Sequence, residues 1–435
     1  MRVVVVTNLW PSELRPAWGS FVASRVEALR RLGHEVDLVA VRDHPSSVRR
    51  YASLLTAVLR GMRGPRRAPG GPRRAVERRR AVERRRARGP RRTQVPQQRE
   101  GVVETVVEAH IAYPTGLFAW PLAARLGVPL VLFAHGSDVL RLPGRSGLDR
   151  ALCRAVFRRA ALVVANSTYL AGEVEARLGV DPERIVCVSP GIRYADLAAA
   201  AATQGSANTA PAAGLATRTP AAGPATPAPV LAAAAAGRQS DGRRRHELLF
   251  VANLIHRKGL DILLDALAEL TKRGDDVPAL RVVGDGPERP ALTQRAQQAG
   301  LPVAFAGELP HDAVIAEMAS ADLLVVPSRE EALGLAPLEA MAAGCVPVVA
   351  AVGGLAESVT AGVTGFTCPP EDPGALATTL VKAVAAVRDP ASRAALREAG
   401  DTLARRHDVD AAAVRTIEHY SGLSRTARRS SVRPC

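Results

Sequence analysis

The chain has 435 residues, 47% of them hydrophobic, which is enough for two domains with proper cores and excludes collagen and coiled-coil classes. Its net charge of +16 suggests a nucleic-acid binder until the charge is located. Residues 60–99 hold 16 arginines against Glu77 and Glu83, so all but two units of the excess belong to one insert.

Five scattered cysteines (Cys153, Cys187, Cys345, Cys368 and Cys435) lack the paired spacing of zinc or redox sites and read as ordinary buried thiols in a reducing compartment. The chain opens directly into the strand Arg2–Thr7, too short for a signal-peptide core and without a cleavage site. The most apolar long segment, 116–134, is interrupted by Pro121, Arg125 and Pro129. The expectation is a cytoplasmic chain with no membrane span.

From the start the pattern runs strand, helix, strand. Val3–Val6 is apolar, Phe21, Val22, Val26, Leu29 and Leu32 form a helical stripe that Gly33 ends, and Val36–Val41 is the next strand. Gly19 stands just ahead of the helix, where backbone can approach a ligand closely, although a single glycine there is equally a tight turn. Tyr51–Leu59 predicts a short amphipathic helix. Between Gly61 and Arg99 the sequence carries too little apolar surface for a core, and Ala75–Arg80 is repeated at once as Ala81–Arg86. Anionic lipid head groups, non-specific nucleic acid and a merely solvated insertion all remain open for this segment, which has no aromatic residue to stack on bases.

The rhythm resumes with a strand at Val102–Glu108, a helix at Pro114–Leu126 and a strand at Val128–Phe133 ending in Ala134-His135-Gly136-Ser137-Asp138. Two further strand and helix pairs reach Ile185–Val188. Strands alternating with helices predict a doubly wound parallel sheet. A lone histidine is more often structural than catalytic, but His135 stands at a strand's carboxyl end beside Gly136 and Asp138, where such sheets bind ligands. Residues 195–245, rich in Ala, Thr, Pro and Gly, read as an interdomain linker. The second half repeats the alternation. Gly284-Asp285-Gly286-Pro287 lacks the third glycine of a dinucleotide loop and reads as a turn, and Asp408 with Asp410 reads as a cap for the final helix, Ala411–Tyr420.

The strongest local signal is Ser328–Glu339, which follows the apolar run Leu323–Val326. A buried strand, a loop with two acids and a glycine, and a helix beginning near Pro337 together make a phosphate-facing helix start, with Glu331 and Glu339 on either side. Taken alone, Glu339 also fits simple charge–dipole stabilisation and Glu331 a solvated loop acid.

In order and spacing, these motifs resemble family 4 of the glycosyltransferases, retaining Leloir enzymes with the GT-B fold of two Rossmann-like α/β domains facing across a cleft. The resemblance covers most of residues 1–192 and 247–410. The family's Gly-Arg-Leu, three residues, Lys-Gly stands here as Ala252-Asn253-Leu254 followed by Lys258-Gly259. It implies pyrophosphate binding by Lys258. Asn253 replaces the usual arginine, and whether Arg257 supplies the missing charge is left open. The family's two-glutamate motif is present as Glu331 and Glu339, with Leu333 where phenylalanine is common. By resemblance Glu331 holds a donor-sugar hydroxyl, Glu339 the nucleotide ribose, and the amides of Leu333, Gly334 and Leu335 face the phosphates. His135 is placed beside the donor sugar and Gly19 nearest the reaction centre.

The implied catalytic set is His135, Lys258 and Glu331. The implied activity is transfer of a hexosyl or N-acetylhexosaminyl unit, with retention, from a UDP- or GDP-linked sugar. The acceptor is a glycan, a lipid-linked or a small molecule, and neither cofactor nor metal is expected. A sugar-nucleotide epimerase, a disaccharide phosphorylase and an inactive anion- or membrane-binding scaffold are the alternatives. The expected organisation is an N-terminal domain over 1–194 with an insert at about 60–100, a linker over 195–245 and a donor domain over 246–407. A helix over 408–424 is expected to pack back on the first domain, ahead of a basic tail at 425–435. The arginine-rich insert is expected to offer peripheral contact with an anionic membrane at its inner face, without specific nucleic-acid binding.

Overall fold

A computed structural model describes residues 1–11, 19–41, 54, 56, 58, 104–207 and 248–423. The arginine-rich insert, most of the expected linker and the basic tail lie outside these residues. Of the expected helix at 51–59, the described positions Leu54, Thr56 and Val58 are helical, with Leu54 and Val58 buried.

The first unit runs β1 (Arg2–Thr7), α1 (Ser20–Arg31), β2 (Glu35–Ala40), β3 (Thr105–His110), α2 (Ala112–Leu126), β4 (Leu130–Ala134), α3 (Ser137–Leu140), α4 (Gly147–Arg159), β5 (Leu162–Ala165), α5 (Thr168–Leu178) and β6 (Ile185–Cys187). Its six strands are parallel, in the order β2-β1-β3-β4-β5-β6. The strands are apolar on both faces because helices cover both. Val4, Val6, Val107 and Leu132 point into one layer with α2, α4 and α5, while Val3, Val5, Val106 and Val131 point into the other with α1. The buried polar exceptions are Thr7, Glu108 and His110, and of these Glu108 carries a carboxylate in mid-strand.

Helix α6 (Tyr194–Ala207) leads into the second unit. There follow β7 (Leu248–Val251), α7 (Leu260–Arg273), β8 (Leu280–Val283), α8 (Arg289–Gln298), β9 (Val303–Gly307), α9 (His311–Ser320), β10 (Leu323–Val326), α10 (Leu335–Ala342), β11 (Val346–Ala350), α11 (Leu355–Ser358), β12 (Phe366–Cys368), α12 (Pro373–Arg388), α13 (Pro390–Arg406) and α14 (Val409–Ser421). The strand order is β12-β11-β10-β7-β8-β9, again all parallel. The chain thus winds outward from β7 in one direction and from β10 in the other. The crevice between the carboxyl ends of β7 and β10 is the topological switch point, where open α/β sheets bind ligands.

The two crossings between units lie side by side: Ile192 donates its N–H to His407 O at 2.8 Å and accepts from Val409 N at 2.9 Å. Helix α14 then returns to the first unit and packs on α1, with Arg31 Nη2 2.6 Å from Asp410 Oδ1. The Asp408 carboxylate caps it, accepting from the amides of Asp410 and Ala411, which is the role the sequence suggests.

Two expectations need correction. The stretch 195–207 is helical rather than linker: its alanines are the best helix formers, the first proline arrives only at Pro211, and Leu197 is buried in the second unit's core. Cys187 is exposed at the end of β6, an edge strand, whereas Cys153, Cys345 and Cys368 are buried thiols. No described helix is long and apolar enough to cross a membrane.

Candidate functional site at the switch point

Two loops meet at the switch point, 252–259 after β7 and 327–334 after β10. Gly259 sits at φ 73°, and a Cβ added there would lie 2.0 Å from the carbonyl oxygen of Pro327, so only glycine lets the loops close to this distance. Arg329 holds them together. Its guanidinium reaches the two Asp261 oxygens at 2.8 and 2.7 Å, and its N–H donates to Arg257 O at 2.8 Å.

The consequence is that the Lys258 ammonium forms an ion pair with the Glu331 carboxylate. Beside the pair lies a cavity of about 110 Å³ whose lining includes Lys258, Ser328, Glu331, Gly334, Leu335 and Pro337. Ser328 is 1% exposed, and its hydroxyl has no hydrogen-bond partner among the described residues. Helix α10 starts here without a side-chain cap. An uncapped helix start, an orphaned hydroxyl and a fixed ammonium form a polar pocket suited to an anion.

Around this centre the other motif residues separate. Leu333 is buried at 6% exposure, whereas Asn253 is exposed in a turn whose carbonyl accepts from Ile255 N at 2.9 Å. Arg257 Nη1 lies 3.4 Å from Glu330 Oε1, and from the opposite unit Arg141 Nε lies 3.6 Å from the same oxygen. Burial and the nearby Arg257 guanidinium lower Arg141 from its ordinary pKa, the mark of two cations sharing one carboxylate. Two guanidiniums, one from each unit, thus stand at the cleft beside Glu330.

Glu339 lies in the second turn of α10, outside the cavity lining. Burial pushes its carboxyl up to about 7, against the pull of Arg193. A raised folded pKa favours the protonated acid, so this contribution to stability is complete below about 4.5 and is lost as pH rises through about 7. Glu339→Gln, which keeps the neutral form at every pH, should match the parent near pH 4.5 and exceed it by on the order of 1–3 kcal/mol at pH 8. Thermal midpoints at the two pH values check this.

From the first unit, Gly19 forms the N-cap of α1, and Phe21 packs its ring 4.7 Å from that of His135. His135 directly follows β4 in a turn tied by Asp138, which accepts from the amides of Ala112, His135 and Gly136 at 2.7, 3.0 and 2.9 Å. Burial lifts Asp138 to about 6 against the pull of these amides. Gly136, at φ 113°, has no room for a side chain, since a Cβ would lie 2.6 Å from that of Ala332. The histidine loop and the glutamate loop thus touch across the cleft. Ser167 donates its hydroxyl to Ala332 O, and Glu357 accepts from Thr168 N and Tyr169 N to close the same seam.

Ser328 and Glu330 lie inside the stretch the sequence singles out but carry no role in it, whereas Arg141, Glu357 and the buried acid and histidine of β3 lie outside every motif read from the sequence. For β3 a signal existed, because Glu108 and His110 alternate with apolar residues in a strand otherwise fit for burial.

The comparisons with known proteins agree with this architecture. Residues 238–402 match the family model described as Glycosyl transferases group 1, and residues 19–195 match that of Glycosyltransferase Family 4. The chain is 31% identical over 315 residues to a 2-deoxystreptamine glucosyltransferase of Streptomyces kanamyceticus, covering 70% of this chain and 73% of that protein. It is 32% identical over 320 residues to a D-inositol 3-phosphate glycosyltransferase of Salinispora arenicola, covering 70% and 64%. Among solved structures, Anabaena HepE in complex with UDP and glucose superposes with a TM-score of 0.63 at 18% identity, over 97% of this chain and 100% of that one. With its two six-stranded parallel sheets facing across a cleft, the chain belongs to family 4 of the glycosyltransferases and has the GT-B fold.

Proposed function

We propose that the chain transfers a sugar, with retention of anomeric configuration, from a nucleoside diphosphate sugar bound by the second unit to a polyhydroxylated small molecule bound by the first. The observation that carries this is the meeting, at the switch point, of Lys258 and Glu331 beside the Ser328 hydroxyl and the uncapped start of α10. Departure of a nucleoside diphosphate develops negative charge on the leaving phosphate. Lys258 and the first amides of α10 meet it from one side, while Arg257 and Arg141 make the adjacent rim cationic, so no metal is needed in this scheme. Glu331 exchanges its ion pair for a donor-sugar hydroxyl, Glu339 holds the ribose, and the leaving phosphate takes the acceptor's proton on the face it vacates.

The 110 Å³ cavity is smaller than the roughly 300–1,000 Å³ of typical ligand sites, so donor entry requires the Lys258–Glu331 pair to separate and the Gly136–Ala332 contact to part. HepE was solved with UDP, and two relatives are named for a deoxystreptamine and an inositol phosphate, which makes uridine-linked donors and cyclitol acceptors the first to try.

The test is a thermal-shift panel of nucleotide sugars with EDTA present, followed by NMR of the product formed with each acceptor. A donor-specific rise in midpoint and a product that keeps the donor's anomeric configuration are expected. Inversion, a strict requirement for added metal, or conversion of the donor to an epimer or sugar phosphate without acceptor would overturn the proposal.

A further inference from the structure

Behind His135 lies a buried polar chain that the transfer scheme does not use. In β3, Glu108 is fully buried and takes both Arg25 Nε at 3.0 Å and Nη2 at 2.7 Å, while Tyr420 of α14 donates its hydroxyl to Glu108 Oε1 at 2.7 Å. Its other oxygen, Oε2, lies 3.2 Å from His110 Nε2, and His110 Nδ1 lies 3.3 Å from His135 Nε2. The ring planes are fixed by packing. His110 stacks on Phe133 at 4.3 Å with 17° between planes, and the two imidazoles lie 5.5 Å apart at 21°.

From this geometry we infer that the Arg25–Glu108–His110 relay sets the tautomer of His135, holding its proton on Nε2 and leaving Nδ1 as a hydrogen-bond acceptor for a sugar hydroxyl. The proton assignment follows link by link. A carboxylate gripped by a guanidinium and a phenol is an acceptor only, so His110 Nε2 must donate to it. A neutral imidazole has a single N–H, so His110 Nδ1 is an acceptor and His135 Nε2 must donate to it. Burial presses the pKa of each ring below its ordinary value, in His110 against the opposing pull of Glu108, with the Arg25 charge adding to the lowering of both. The Arg25 guanidinium also lies 4.5 Å over the Phe133 ring, and its Nη1 meets Thr416 of α14 at 3.4 Å. The helix that follows the second crossing between units therefore anchors the relay from behind.

His110 is a positioning residue in this account, acting through His135, and its effect on turnover rests on the proposed sugar transfer. The experiment uses the full chain with ¹⁵N-labelled histidine and long-range ¹H–¹⁵N correlation, with the His135 signal assigned by its loss in His135→Gln. The parent should show His110 and His135 each protonated at Nε2. In His110→Phe, which removes the acceptor but keeps the stack on Phe133, His135 should become a mixture of tautomers. Its kcat should fall about 10- to 100-fold, taking as the guide the range seen when the group orienting a metal-ligating histidine is lost. KM for the donor should move less than about threefold, since a loss confined to kcat marks an interaction made in the transition state. His110→Gln, whose amide can donate to Glu108 and accept from His135, should restore the tautomer and most of the turnover.

A parent His135 protonated at Nδ1, or equal kcat in the Phe and Gln variants with an unchanged tautomer, would overturn the inference. Should His110→Phe fail to fold, the parent tautomer and the Gln variant still decide it. The tautomer is read in the resting protein, so a chain that transfers no sugar would defeat the functional proposal while leaving this one to stand or fall on the spectrum.

Discussion

Lys258→Ala should lower sugar transfer by about 10²–10³-fold while shifting the thermal midpoint only slightly, because the proposed scheme sets the ammonium against the leaving phosphate and the fold draws little on it. The Lys258 and Glu331 side chains are 23% and 19% exposed, and a pair that stays partly solvated adds on the order of 1 kcal/mol to stability. Removing one fixed charge or donor from a developing oxyanion costs about 2.7–4 kcal/mol of barrier. Glu331→Ala should reduce kcat/KM to a similar degree through loss of the donor-sugar contact. Both act on one bound donor, so the double variant should fall well short of the product of the two losses. Initial rates at saturating acceptor, set beside thermal midpoints, separate the effects. Near-normal turnover in both single variants would remove the second unit's switch point as the place of reaction.

The parts of the proposed switch-point site were legible in the sequence because they are local to two loops. Lys258-Gly259 follows one apolar strand, and Glu331 follows another with a helix start directly behind it, so spacing alone orders the parts. That the two loops touch is a matter of topology: β7 and β10 are neighbours only once the sheet has wound outward in both directions. That Arg141 of the other unit lies beside Glu330 with Arg257 could not be read, because contact across a cleft leaves no periodicity in a single chain. Helix α6 was obscured by composition, since an alanine run without heavy apolar residues looks like spacer until Leu197 is seen buried in the second core. The relay behind His135 escaped for a different reason. The predicted strand stopped at Glu108, two residues before the histidine that gives the buried acid its meaning.

The buried pair at the head of that relay carries the largest expected effect on stability. Arg25 and Glu108 have side-chain exposures of 5% and 0%, and burial alone would disfavour both charges. Against that penalty, each holds the other ionised: Glu108 stays well below the usual carboxylate range and Arg25 above its ordinary value. Glu108→Ala would strand the guanidinium between Phe133 and α14 and should cost about 3–5 kcal/mol. Arg25→Met with Glu108→Leu removes both charges while keeping apolar volume. It should recover much of the loss, since an isosteric apolar pair is often as stable as a buried ionic one, although Tyr420 and His110 would each lose a partner. The pH dependence distinguishes the two variants from the parent. With its folded pKa depressed, Glu108 contributes stability that is complete above the unfolded carboxylate pKa near 4.3 and is lost as pH falls below it. Urea unfolding at pH 7 and pH 4 should therefore show a smaller acid loss in the double variant than in the parent, and an equal loss would place the acid sensitivity in other carboxylates.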